Sequence, residues 1–191
     1  MANKSSLQHG LTLINNDYKH VLEFGVCRGG TIRTIRESLD ESFSVFGFDS
    51  FKGLPEPWVD KDGKVVVPAE YFSTGGVVPN VDGVKFFVGW FSDTIPDYLK
   101  ISQPIALLHI DSDLYSSAKE ILWSLNDCIV NGTIIVFDEW FYRHKPKFDD
   151  HEKKAFYEWV EEFKVLFEII EFSDKTPCGE ERKIIKILER I

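Results

Sequence analysis

Cysteine is scarce in this sequence, and it lacks the spacing that would make it structural. Only Cys27, Cys128 and Cys178 are present, an odd number without a CxxC pair. That pattern argues against a disulfide framework and against a cysteine-rich zinc site. Cys27 and Cys128 sit in motif or apolar segments, where a buried free thiol is the simpler reading. A surplus of positive charge is missing too: 22 Lys and Arg face 31 Asp and Glu, for a formal net charge of -9. A surface that tracks phosphates needs clustered cations, so nucleic acid is not an expected partner. No run approaches the roughly 20 consecutive apolar residues of a membrane span. Residues Met1 to His9 hold no apolar signal core. The expectation is a cytoplasmic protein without a membrane partner.

Repeats, low-complexity tracts and linkers are also absent, and what remains is a regular alternation. Hydrophobic residues make up 43% and charged residues 28% of 191, the balance of one globular domain spanning 1–191. Short apolar runs at His20 to Val26, Ser44 to Ser50, Val84 to Gly89, Ile105 to Ile110 and Thr133 to Phe137 read as strands. Helical patterns intervene at about Gly30 to Leu39, along the Tyr115, Ala118, Ile121, Leu122 and Leu125 stripe, and along Ala155, Phe156, Trp159, Val160 and Phe163. Asp113 is the expected N-cap of the second. Leu166 to Phe172 and Lys183 to Leu188 read as a terminal antiparallel pair at a sheet edge. The expected fold is therefore α/β and doubly wound, a Rossmann-like arrangement with a mainly parallel seven-stranded sheet and a C-terminal antiparallel strand. Residues 51–80, rich in Gly and Pro, break the rhythm and read as a lid or substrate-side wall, the bland alternative being a surface excursion.

Four signals carry chemistry. Glu23-Phe-Gly25-Val-Cys27-Arg-Gly29-Gly30-Thr31 joins a strand to a helix, where glycines and free amides suit an anionic group. A dinucleotide fingerprint needs glycine at its middle position, and this chain has Cys27 there. A ligand without pyrophosphate, such as S-adenosylmethionine, tolerates that residue. Asp49, with Ser50 beside it, stands 24 residues beyond Gly25 at a strand end, where an acid accepts from ribose hydroxyls. Trp90 and Phe91 follow the third strand and offer an aromatic rim to a purine; ordinary core packing is the competing reading. Lastly, His109-Ile-Asp111-Ser-Asp113 and Phe137-Asp138-Glu139 close the fourth and fifth strands. Asp111, Asp138 and Glu139 can converge there on one hard divalent cation, or instead cap helices or steady a positive cofactor.

The runs LEFGVCRGGT, FGFDSFKGLPE, VGWFSDTIP, HIDSDLYSS and IIVFDEW resemble the macrocin O-methyltransferase family of class I methyltransferases, in the family's order over roughly residues 20 to 140. The resemblance implies an S-adenosylmethionine-dependent O-methyltransferase that uses magnesium and acts on a small hydroxylated molecule such as a sugar. It implies cofactor contacts at Glu23, Gly25, Gly29, Thr31, Asp49 and Trp90, with metal ligands at Asp111, Asp138 and Glu139. Asp111 then counts as catalytic, and His144, in the polar stretch after the fifth strand, is the candidate general base. Two departures stand out: Asp138-Glu139 replaces the pair of aspartates frequent in the family, and the N-terminal part is shorter than in antibiotic-modifying members. A homodimer is left open. The rival readings are a metal-independent N- or O-methyltransferase and a non-catalytic adenosine- or nucleotide-binding module.

Overall fold

Alternation along the first strand sets the layers. In β1 (His20–Phe24), Leu22 and Phe24 point into one apolar cluster and Val21 into another on the opposite face, as the period of two in a strand requires. The computed structural model describes residues 5–60, 62–142, 151–172 and 180–190. The remaining elements are α1 (Ser6–Leu11), α2 (Gly30–Glu37), β2 (Ser44–Asp49), β3 (Trp58–Val59), β4 (Val65–Val67), β5 (Val84–Val88), α3 (Phe91–Leu99), β6 (Ile105–Ile110), α4 (Tyr115–Ser124), β7 (Ile134–Tyr142), α5 (His151–Phe163), β8 (Val165–Ile170) and β9 (Glu180–Arg190).

Seven strands form one sheet in the order β5-β2-β1-β6-β7-β9-β8. The first five pair in parallel, and β9 runs antiparallel to both β7 and β8. This is the expected doubly wound α/β sheet with its C-terminal antiparallel strand. Helices α1 and α2 cover one face through Leu7, Leu11, Ile32 and Ile35. Helices α3, α4 and α5 cover the other, where Tyr98, Ile121, Phe156 and Trp159 are fully buried. Burying side chains of this size contributes about 1.5–3 kcal/mol each. Among the described residues no helix is long and apolar enough to cross a membrane.

Strand order turns at β1, flanked by β2 and β6, and a crevice opens at the carboxyl ends of these strands. Gly25 makes the turn possible. It sits at φ 92, and a Cβ there would fall on the Asp111 carbonyl oxygen. The ends of neighbouring strands are tied by Gly25 N–H to Phe48 O at 3.0 Å and Asp111 N–H to Phe24 O at 2.9 Å.

Four details differ from expectation. The fifth run does not stop at Phe137: β7 continues to Tyr142, so Asp138 and Glu139 lie within a strand. Asp113 does not cap α4. The cap position is Leu114 without a side-chain bond, and Asp113 instead adopts φ 62. Residues 51–80 contain the small antiparallel pair β3–β4, and Leu54 is joined to Tyr71 and Glu70 by backbone bonds of 3.0 and 2.9 Å. Helices α1 and α3 had no counterpart in the sequence reading; Pro96 inside α3 interrupts its pattern.

Candidate active site

A cavity of about 840 Å³ fills the crevice. One end is built by the β1–α2 turn and the end of β2. Cys27 and Phe51 both have positive φ, 48 and 57, a conformation that is uncommon for residues other than glycine. Asp49 holds both in place: its Oδ2 accepts from Cys27 N–H and its Oδ1 from Phe51 N–H, each at 2.7 Å. Ser50 Oγ accepts from Lys52 N–H at 3.1 Å. Gly25, Thr31, Asp49, Ser50, Trp90 and Phe91 all line the cavity, joined by Arg28, Gly30 and Ser92. Phe91 also packs edge-on against Phe24, with ring centroids 5.1 Å apart.

Two residues of the expected cofactor set do not line it. Glu23 is fully buried beneath the turn, accepting from Thr31 Oγ1 at 2.9 Å and meeting His109 Nδ1 at 3.1 Å. It braces Thr31 from below, because alternation along β1 turns it onto the α1–α2 face. Gly29 caps α2 at φ 79, and the place of its Cβ is taken by Pro79. Its glycine serves packing against the 51–80 segment.

The other end of the cavity is acidic. Asp111, Asp113 and Glu139 line it; Leu54 and Trp58 of the 51–80 segment, packed on Leu114, also line the cavity, as does Phe72 beside Cys27. Adjacent strand residues point to opposite faces, so Asp138 and Glu139 part company. Asp138 is bound by Arg182 through Nε at 2.5 Å and Nη2 at 3.2 Å, and its Oδ1 lies 3.9 Å from His109 Nε2. Glu139 faces α5, with its buried Oε2 lacking a hydrogen-bond partner. The group of donors brought within 4.8 Å of one another is His109, Asp111 and Asp138, which is not the trio read from the sequence. His109 Nε2, buried, likewise has no hydrogen-bond partner. Alternation through His109-Ile-Asp111 already put these two side chains on one face of a strand, although only Asp111 was expected as a ligand. Asp113 was missed as a cavity residue because its left-handed turn is not visible in a one-dimensional pattern. His144 and Cys178 lie outside the described residues.

Charge at this end is under-compensated. Burial, with Asp138 nearby, holds the Asp111 carboxyl well above the usual range, and burial with Asp111 and Asp113 does the same to Glu139. Glu152 of α5, fully buried, is pushed up to about 8 by burial and by Asp113. Burial opposes charge on His109, yet Asp138 and Glu23 outweigh it and push its pKa up to about 10. For Asp138, burial is outweighed by His109 and Arg182, and its pKa falls. Carboxyls crowded together in low dielectric resist ionising unless a cation joins them.

Residues 12–153 match the sequence pattern of the family described as Macrocin-O-methyltransferase (TylF). The chain belongs to this family. It is 30% identical over 140 residues to the 8-demethyl-8-(2,3-dimethoxy-alpha-L-rhamnosyl)-tetracenomycin-C 4'-O-methyltransferase of Streptomyces olivaceus, covering 63% of this chain and 52% of that one. It is 28% identical over 142 residues to the mycinamicin III 3''-O-methyltransferase of Micromonospora griseorubida, covering 63% and 54%. The chain thus spans about half the length of the curated relatives it matches. Among solved structures, the calicheamicin methyltransferase CalS11 superposes with a TM-score of 0.68 at 21% identity, over 95% of this chain and 77% of that one. The O-methyltransferase TomG of Streptomyces achromogenes, in complex with S-adenosylmethionine, gives 0.59 at 13% identity over 95% and 77%. At these identities the likeness establishes the methyltransferase fold.

Proposed function

We propose that the chain is an S-adenosylmethionine-dependent O-methyltransferase that acts on a hydroxyl of a small sugar-bearing molecule and uses magnesium. The observation that carries this reading is one cavity with the glycine turn and Asp49 at one end and an acidic wall at the other. Two curated relatives support it, being named for O-methylation of a rhamnosyl-tetracenomycin and of mycinamicin III.

The residues present fit the cofactor. Gly30 opens α2 with nothing within 4 Å of where a Cβ would stand, so the helix amides can receive a carboxylate. Asp49 uses one direction of each oxygen on backbone amides and keeps a second for ribose hydroxyls. Trp90 and Phe91 offer an apolar rim to the purine. When bound, the cofactor supplies an electrophilic methyl group on a positively charged sulfur. Leu54, Trp58 and Phe72 keep water from the acceptor and orient it, so positioning provides much of the rate gain. Asp113, held at the cavity wall, takes the acceptor's proton at a carboxylate oxygen.

The residues also fit a hard cation, which prefers carboxylate oxygens. Asp111 would hold it together with His109 and with Asp138 as far as Arg182 leaves that carboxylate free, the donors gathered within 4.8 Å of one another, and Glu139 would stand by on the cavity wall. Such an ion would lower the pKa of a bound hydroxyl. The Arg182–Asp138 pair favours a second reading, in which that fixed cation balances the wall and methyl transfer needs no metal. Incubation with labelled S-adenosylmethionine and a panel of rhamnosides, with and without chelator, separates the two. Transfer abolished by chelator and restored by magnesium supports the first reading, and transfer unchanged in chelator supports the second. No methyl transfer and no cofactor binding would overturn both.

A further inference from the structure

We propose that Glu152 is a positioning residue for methyl transfer, holding the acid-bearing ends of β6 and β7 at a set separation. The inference rests on the reading of the cavity given above. Parallel pairing of β6 with β7 ends at Ile110 opposite Phe137. The pairing of β7 with β9 is also irregular between Phe137 and Phe141. Asp111, Asp113, Asp138 and Glu139 therefore lie where the β6–β7 ladder has stopped, and something else must fix their spacing.

Glu152 supplies the tie. It sits in the first turn of α5, fully buried. Its Oε1 accepts from Ser112 N–H at 3.0 Å and lies 3.5 Å from Ser112 Oγ, while its Oε2 accepts from Glu139 N–H at 3.2 Å. Ser112 stands between Asp111 and Asp113, so one carboxylate spans both acidic segments. His151 extends the same buckle, its Nδ1 accepting from Tyr115 N–H at 3.1 Å, which requires the tautomer protonated at Nε2.

A carboxylate is a costly choice here, because a buried acid beside other acids is destabilising. An apolar residue would pack at less cost but would leave two buried amides without acceptors. Glutamine offers one acceptor and one donor, so it satisfies one amide and opposes the other. Only a residue accepting from two amides at once joins the segments. With both oxygens engaged in this way, Glu152 acts through Asp111, Asp113 and Glu139 and not on substrate.

The test compares the parent with Glu152→Gln, Glu152→Asp and, as a control for α5 packing, Trp159→Phe. Four quantities are read: S-adenosylhomocysteine affinity by calorimetry, manganese(II) affinity by paramagnetic resonance, methyl transfer to phenyl α-L-rhamnoside, and the melting temperature. Loss of an outer support around a metal site costs roughly 10–100-fold. Glu152→Gln is expected to lower kcat and weaken manganese(II) binding by about tenfold or more on that scale, with S-adenosylhomocysteine affinity and the KM for S-adenosylmethionine unchanged. Glu152→Asp should recover part of the loss. Trp159→Phe should lower the melting temperature alone. Parental kcat and manganese(II) affinity in folded Glu152→Gln would overturn the proposal. A Glu152→Gln profile like that of Trp159→Phe would also overturn it. A parent that binds neither S-adenosylhomocysteine nor manganese(II) would overturn the functional reading itself, a result distinct from an unaffected variant of an active parent.

Discussion

The two ends of the cavity are stabilised by different means. At the glycine-turn end the backbone does the work: positive-φ residues at Cys27 and Phe51 are held by short bonds to Asp49, and Gly25 admits the Asp111 carbonyl. At the acidic end, charge dominates. Asp111, Asp113, Glu139 and Glu152 crowd together, while the nearby cations His109 and Arg182 are turned toward Glu23 and Asp138. The first end is preorganised by local geometry. The second carries charge that a bound cation or substrate would relieve. Removing one interaction should therefore damage shape at the first end and chemistry at the second.

The largest effect is expected from Gly25→Ala. A Cβ in contact with the Asp111 carbonyl, at a φ unsuited to side chains, should cost roughly 4 kcal/mol or more, read as loss of the cooperative unfolding transition in urea. A well-folded alanine variant would break the claim that backbone approach shapes this end. Next comes Glu139→Gln, expected to reduce methyl transfer by about 100-fold, the scale of losing a group that stabilises developing charge. Cofactor affinity should stay within error of the parent in calorimetry. If cofactor affinity fell in step with turnover, the two ends would not be separable.

Asp49→Ala should be milder for turnover at saturating cofactor but should weaken cofactor binding by about 1–3 kcal/mol, the scale of lost hydrogen bonds between a carboxylate and ribose hydroxyls. Unchanged affinity in calorimetry would remove Asp49 from the pocket. A pH series sharpens the electrostatic side. The Glu152 pKa rises from 4.5 to about 8 on folding, so its contribution is present below 4.5 and is lost as pH rises through about 8. His109 behaves alike between 6.5 and about 10. The cation-free protein should then melt at lower temperature as pH climbs from about 5 to about 9. Saturating magnesium should flatten that decline, and a rising melting temperature over the window would contradict the charge assignment. The smallest effect is expected for Ser50→Ala, which removes the bond accepted from Lys52 N–H and the long one donated to Gly53 O. It should shift stability by about 0.5–1.5 kcal/mol and cofactor affinity by less.

Local pattern made much of this legible. The strand runs, the glycine turn, Asp49 at the end of β2 and the apolar stripe of α5 each follow from a short period or a fixed offset, and the structure has them where the sequence placed them. The end of the fifth strand was misjudged at Phe137 because Asp138 and Glu139 are polar, whereas β7 runs on to Tyr142, its pairing with β9 resuming at Phe141 and Tyr142 past an irregularity. Asp113 looked like a helix cap since Asp before a helix usually is one.

Taken alone, the sequence determined the class of sheet and the position of the glycine turn, because these depend on side-chain alternation and on where glycine can bend the chain. Tertiary structure decided the partners. Glu23 meets His109 only because β1 and β6 pair in the register that sets them opposite. Asp138 and Glu139 separate because one faces Arg182 and the other faces α5. Glu152 reaches Ser112, 40 residues away along the chain, because α5 folds back over the end of β6. Such meetings arise from packing between distant segments, and no period along the chain encodes them.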